Sequence, residues 1–339
     1  PESKKSSDRN ALLRQYKLGG ASAGGTVFCG IGESSAIADS GLVSEIRLSG
    51  CREPDEKQIL FFISAMGGGT GSGASPCIVA TCRSINPKAI TVSVAVLPSG
   101  SEPAQAHFNA YYGVSRLLNY DGARSVDLLL LLDYDRLRQV RGVGKGGREL
   151  RMEDFLTHAL GLMGVAFSHS NFTPVCRMAR GLKIQAVVPC LAVGRSIEIF
   201  GSLTNMLDSA LALPLAPLEK STVSLSCLLL SIPRRLATMF PENSVTEEFL
   251  AWNKRYFPGL RASLFQIVQT DEHSDRIDCC VLLGGNTLDS AMRQTKSGYV
   301  DFKAYLERSG HWEMCGLDKH KVETAEETIR AYDSGIGPR

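Results

Sequence analysis

The stretch "FFISAMGGGTGSGASP", residues 61–76, runs from an apolar segment into a loop holding five glycines in seven residues, two hydroxyls and no charge. Residues 58–66, "QILFFISAM", read as a buried strand that feeds directly into Gly67, Gly68, Gly69, Thr70, Gly71, Ser72 and Gly73. Beyond the loop, "ASPCIVATCRSI" at 74–85 carries small and apolar residues at helical spacing, with Pro76 tolerated in a first turn. Strand, glycine-rich turn and helix together aim several backbone N–H groups and the positive end of the helix at one point. Such a point is an anion site, and phosphate is its commonest occupant. The glycines are expected to allow close approach and positive φ, and Thr70 and Ser72 to add hydroxyl donors. No Lys or Arg lies in the loop, which leaves neutralisation to backbone dipoles and to Mg²⁺.

Outward from this loop the first half alternates apolar runs with helical patterns, the signature of a largely parallel sheet with crossover helices. "AITVSVAVLP" (89–98) reads as a second strand and "QAHFNAYYGVSRLLNY" (105–120) as an amphipathic helix with Phe108, Tyr111 and Tyr112 packed inward. "SVDLLLLLDYDRL" (125–137) reads as a third strand that turns acidic, with Asp133 and Asp135 as solvated strand-end charges. A helix apolar on most sides is expected over 151–167, then a second unit with strands at 183–194, 223–233 and 275–285. Helical patterns fall at 202–212, 244–256 and 322–335. The boundaries implied are 1–150, a nucleotide-binding domain incomplete at its N-terminus; 151–178, a central helix and following loop; 179–290, a second domain; and 291–339, a helical tail.

Composition excludes several classes. At 339 residues with 44% hydrophobic and 21% charged residues, the chain is an ordinary globular sequence of two-domain size. A net charge of +2 suggests neither a nucleic-acid nor a membrane surface, and the longest apolar run, Val126 to Leu132, is too short to span a bilayer. None of the ten cysteines forms a Cys-x-x-Cys pair, so they read as small hydrophobes in a reducing cytoplasm, not as zinc ligands or disulfides. The first residue is Pro, consistent with a processed chain or a fragment.

Which phosphate ligand the loop takes is open from these residues alone. No Gly-Lys-Ser/Thr follows Gly73, which argues against a Walker A loop. Gly69-x-Gly71-x-x-Ala74 matches the dinucleotide fingerprint, with Glu102 as the ribose-binding acid, so an NAD-dependent oxidoreductase is a rival class. Its weakness is that some sixty residues precede the motif.

"GGGTGSG" (67–73), reached through "ISAM", resembles the signature loop of the tubulin/FtsZ family. "KLGGASAGGTVFCG" (17–30) resembles that family's loop near the γ-phosphate, with Ala23, Gly24 and Gly25. "VAVLPSGSEPAQAHFNAYYGVSRL" (94–117) is similar to its sugar-proximal loop and following helix, where Glu102 is retained. The 125–137 stretch is similar to the strand that ends at the guanine-contacting segment, with Tyr134 in that position. The likeness extends over about residues 15–290 and is strongest toward archaeal FtsZ-like and CetZ-like proteins. It implies an α/β fold with a Rossmann-like GTP-binding domain, a long central helix and a second α/β domain with a mixed sheet. It also implies GTP or GDP as cofactor, with Mg²⁺, and head-to-tail assembly with itself or a paralogous subunit into cytoplasmic filaments.

Three departures qualify that expectation. In the family, a loop after the central helix carries Asn-x-Asp-x-x-Asp toward the next subunit's nucleotide; "SNFTPVC" (170–176) keeps Asn171 but has Thr173 and Cys176 at the acidic positions. Neither a hydroxyl nor a thiol takes a carboxylate's role at pH 7, so hydrolysis is expected to be weak or absent, the alternative being an active GTPase of the same family. The family's first phosphate loop has no counterpart in the sequence, and the Arg expected after Glu102 is Ala106.

Overall fold

The structure, a computed structural model, describes residues 28–38, 41, 43, 44, 46, 58–141, 148–166, 169–184, 186–196, 201–270, 276–285 and 288–334. Its centre is a seven-stranded sheet in the order β1-β2-β3-β4-β7-β5-β6. β1 (Ile59–Ala65), β2 (Ile90–Leu97) and β3 (Leu128–Asp133) are parallel and linked by α2 (Ser75–Ile85) and α3 (Ala104–Leu118). α1 (Cys29–Ala38) lies upstream of this unit. β4 (Ala186–Ser196), β5 (Val223–Pro233), β6 (Ala262–Thr270) and β7 (Arg276–Gly285) form the mixed half, in which β7 is antiparallel to β4 and β5, while β5 and β6 are parallel. The two halves expected as separate domains share one sheet among the described residues, joined by the parallel pair Leu130↔Val187.

The run "LLLLL" shows why β3 is central. Leu129 and Leu131 enter the apolar cluster on one face, and Leu128, Leu130 and Leu132 the cluster on the other, as the two-residue period of a strand buried on both faces requires. The second face is covered by α5 (Met152–Ala166) and α6 (His169–Gly181). Ala159, Leu162 and Met163 of α5 share a cluster with Val92 and Leu130 from the first half and Leu225, Leu229 and Leu282 from the second. The apolar helix thus sits where the halves meet. On the mixed half, α7 (Leu203–Ala212) and α8 (Glu242–Tyr256) bury Met206, Leu207, Phe249 and Trp252 against Leu228, Leu230 and Ile232.

Residues 170–176, expected as a loop, lie within α6. Phe172, Val175, Cys176 and Ala179 recur at helical spacing and all are buried, so the amphipathic pattern outweighs Pro174 inside the helix. The strand expected over 125–137 ends at Asp133, and Tyr134–Leu137 form a short α4. Asp133 is not a solvated charge: it is 7% exposed and accepts the Arg136 backbone N–H at 2.9 Å, capping α4.

After the short α9 (Leu288–Ala291), the tail folds back onto the first half through α10 (Arg293–Ser309) and α11 (Lys319–Asp333). Tyr299 of α10 stacks on Tyr111 at 4.0 Å between ring centroids and on Phe108 at 5.3 Å. Its hydroxyl donates to Glu326 of α11 at 2.7 Å, and Lys303 reaches the same carboxylate at 2.6 Å. Tyr332 closes the far end by donating to the Leu118 carbonyl oxygen at 2.8 Å. The aromatic stripe of α3 is therefore covered by the chain's own C-terminal helices. Tyr299→Ala should lower the unfolding free energy by about 3–5 kcal/mol, as deletion of a buried aromatic does. Chemical denaturation read at a fluorescence signal from the first half would check it, and a detached tail would leave that transition in place.

Candidate functional site

The loop after β1 is not an open turn. A π-helical turn over Thr70–Ala74 runs straight into α2, so the helix begins at Gly69. The N–H groups of such a first turn lack intrahelical acceptors and face whatever lies beyond the helix end. None of the five loop glycines has positive φ, which corrects the expectation that they serve backbone conformation. They serve close approach. A Cβ on Gly71 would sit on the Ala65 carbonyl oxygen and one on Gly73 on the Cys29 carbonyl oxygen. Gly32 of α1 meets the Gly69 carbonyl in the same way, and Gly113 of α3 lies against the Ser72 backbone. α1, β1 and α3 thus close around the loop at backbone distance.

Two loop residues differ from their sequence reading. Ser72 is fully buried, and its hydroxyl donates to the Gly68 carbonyl oxygen at 2.6 Å, so it ties the turn together instead of facing a ligand. Thr70 is half-buried beside it. Gly68 alone is exposed with no atom within 4 Å of a built Cβ, which makes it the open point of the loop.

The loops after β2 and β3 converge on this point, at the carboxyl ends of parallel strands where α/β folds keep their ligand crevices. Glu102 Oε2 stands 3.0 Å from a Cβ built on Gly67, and its other oxygen accepts the Ser99 backbone N–H at 2.9 Å. Asp135 accepts the Ser99 hydroxyl at 2.7 Å and the Gly100 N–H at 2.9 Å, so it is a loop staple rather than a solvated charge. Those bonds, from Gly100 and then Ser99, hold its carboxyl below the usual range. Tyr134 is half-buried next to Asp135, with the Arg138 guanidinium 6.0 Å from its ring. Gly67, Gly68, Gly69, Thr70, Gly71, Glu102 and Tyr134 are therefore neighbours in one region.

Asn109 escaped the sequence reading. It is fully buried on α3; its Nδ2 donates to the Gly67 carbonyl oxygen at 2.9 Å and its Oδ1 accepts the Cys29 N–H at 3.1 Å. One side chain thereby fixes the loop entrance to the start of α1. Its only signal in the sequence is an amide among the inward residues of an apolar helix. Glu33 of α1 is a second such residue: buried at 2% exposure, it accepts from Tyr112 at 2.8 Å and from Arg116 at 2.8 Å.

Asn171, Thr173 and Cys176 lie elsewhere, on α6, whose C-terminal end packs at the amino ends of the strands. Thr173 is half-buried and Cys176 is inside the core, where burial pushes its thiol up to about 12. Cys176 therefore has no surface position from which to meet another subunit. Ala23, Gly24 and Gly25 lie outside the described residues, as does most of the basic stretch at 142–147. All nine cysteines among the described residues are unpaired and buried, and these residues hold no group of three or more His, Cys, Asp or Glu fit for a metal ion. A Mg²⁺ here would rest on phosphate oxygens and water, as that ion commonly does.

Residues 4–142 match the tubulin/FtsZ family GTPase domain, and the whole fold has solved counterparts. The chain belongs to the tubulin/FtsZ family. Cell division protein FtsZ 1 of Pyrococcus furiosus is 37% identical over 82 residues, which are 24% of this chain and 20% of that protein. FtsZ of Buchnera aphidicola is 34% identical over 89 residues, 26% of this chain and 21% of its own. The chain thus spans about a fifth of the length of these curated relatives. CetZ from Methanosaeta thermophila has the same fold at a TM-score of 0.65 with 14% identity, over 90% of this chain and 80% of that one. CetZ2 from Haloferax volcanii, solved as a GTPγS-bound protofilament, does so at 0.59 with 15% identity, over 81% and 80%. No helix among the described residues is long and apolar enough to cross a membrane.

The glycine geometry separates two roles in the tubulin/FtsZ loop. Gly71→Ala should cost at least about 2 kcal/mol, because rigid backbone must move. Gly68→Ala should stay within about 0.5 kcal/mol. Thermal or denaturant unfolding of both variants checks this, and equal losses would contradict the contacts described.

Proposed function

We propose that this chain is a guanine-nucleotide-binding cytoskeletal protein of the tubulin/FtsZ type, which assembles with itself or a paralogous subunit and hydrolyses GTP weakly or not at all. The observation that carries the reading is Gly68: a loop packed on three sides at backbone distance leaves one exposed glycine at a helix start, with Glu102 and Tyr134 beside it. Phosphate would approach Gly68 and the N–H groups of the turn, Glu102 would face the sugar, and Tyr134 would flank the base. Thr70 offers the loop hydroxyl, since Ser72 is occupied internally. Support also comes from the nucleotides named for related folds, GDP for CetZ1 and GTPγS for CetZ2 of Haloferax volcanii, and from the protofilament named for the latter.

The test is a titration of the purified chain with fluorescent GTP and Mg²⁺, competed separately with unlabelled GTP, ATP and NAD. Displacement by GTP alone is expected, and Gly68→Val should weaken binding at least about tenfold, or 1.4 kcal/mol, while leaving the fold intact. Displacement by NAD instead would move the loop to dinucleotide chemistry.

Weak hydrolysis follows from the lack of carboxylates at Thr173 and Cys176, a loss worth roughly 10²–10⁴-fold in rate when such groups act as acid or base. Thr173→Asp should raise turnover in assembled protein. Cys176→Asp should instead unfold the chain, because it buries an unpaired carboxylate beside Phe172 and Val175. Phosphate release and circular dichroism on both variants distinguish these outcomes.

A further inference from the structure

β1, β2 and β3 carry the glycine loop at their carboxyl ends; their amino ends lie roughly 25 Å away, the length of about eight strand residues. At that far end Asp127, 5% exposed, receives Arg83 at 2.9 Å, the Thr91 N–H at 2.9 Å and Arg180. Arg124 lies beside them, donating to the carbonyl oxygens of Val126 at 2.8 Å and Ile184 at 3.2 Å. Three guanidinium groups gather around one carboxylate, so positive charge is in excess. Burial, then repulsion from Arg180 and Arg83, holds Arg124 below its ordinary pKa.

α6 presents this excess outward. Phe172, Val175, Cys176 and Ala179 face the core, while Thr173, Arg177 and Arg180 follow at spacings of four and three on another face. Arg177 is exposed and makes no hydrogen bond or ion pair among the described residues, and the Arg180 side chain is 58% exposed. The glycine-loop end has the opposite need. Residues 66–76 contain no Lys or Arg, Glu102 and Asp135 flank them, and the nearby Arg136 and Arg138 turn to the Pro214 carbonyl oxygen and the Tyr134 ring. Phosphates at that end would stay largely unneutralised by their own chain.

We propose that Arg177 and Arg180 of α6 dock onto the glycine-loop end of a second copy of this chain and neutralise the phosphates bound there. The proposal rests on the nucleotide reading above and names the partner and the contacting side chains for that site. Each copy has one cationic end and one phosphate-bearing end, so the contact is heterologous and continues into a filament instead of closing into a symmetric dimer. Guanidinium forks suit phosphate oxygens, and the positions are cationic where the family resemblance leads one to expect carboxylates.

The experiment measures two quantities on the full chain with GTP and Mg²⁺: fluorescent GTP affinity at nanomolar chain, and the critical concentration for assembly by light scattering. Wild type, Arg177→Glu, Arg180→Lys and the control Arg308→Glu are compared. Arg177→Glu should keep GTP affinity within about twofold and raise the critical concentration at least about tenfold, a change of 1.4 kcal/mol per contact. Arg180→Lys should raise it less, because its charge persists, and Arg308→Glu should leave it unchanged. Added salt should raise the wild-type value more steeply than that of Arg177→Glu. Assembly of Arg177→Glu at the wild-type concentration overturns the proposal, as does a wild type that binds GTP yet stays monomeric at every concentration; both leave the nucleotide reading standing. A wild type that binds no nucleotide overturns the two together.

Discussion

The approach of backbone to backbone around residues 69–73 is the constraint on which the rest of the molecule depends. Gly71 lies on the Ala65 carbonyl and Gly73 on the Cys29 carbonyl, so the end of β1, the start of α2 and the body of α1 meet without side chains between them. Only glycine permits such contact, and it fixes where every neighbouring element can sit. α3 must present Gly113 to the same turn, and Asn109, one turn earlier, then reaches both the Gly67 carbonyl oxygen and the Cys29 N–H. The open face at Gly68 is what remains after this packing is complete.

A second level of order comes from the sheet. Its parallel part gives the molecule two unlike ends: loops that converge on Gly68 at one, and Asp127 with its arginines at the other. The mixed part extends the sheet through β4, and α5 and α6 cover the seam from one face. The tail helices cover the other face over Phe108 and Tyr111. Charge and shape at the two ends are therefore held by one rigid, doubly covered layer. Lys321 of α11 adds to this coupling, lying 3.8 Å from the buried Glu33 that α1 offers to Tyr112 and Arg116.

Much of the first half was legible in the sequence. The strand expected over 58–66 is Ile59–Ala65, and the helix expected over 74–85 is Ser75–Ile85. The readings that failed did so for identifiable reasons. Pro174 masked the helical recurrence of Phe172, Val175, Cys176 and Ala179, because a proline weighs heavily when only local propensity is visible. Asp133 and Asp135 resembled solvated strand ends, since their partners, the Arg136 N–H and the 99–100 loop, become neighbours only after the chain turns. Ser72 looked like a ligand donor until the turn closed and its hydroxyl met Gly68.

The sequence by itself determined the strand, the glycine turn and the helix that follows, because periodicity and steric tolerance are properties of neighbouring residues. It also determined the family, since "GGGTGSG" is a local signature. Tertiary structure alone decided which glycines are obligatory, which hydroxyl remains free, where the tail packs and how three arginines come to share one carboxylate. Those outcomes depend on contacts between residues far apart in the chain, such as Cys29 with Gly73 and Asp127 with Arg180, whose distances no local pattern encodes.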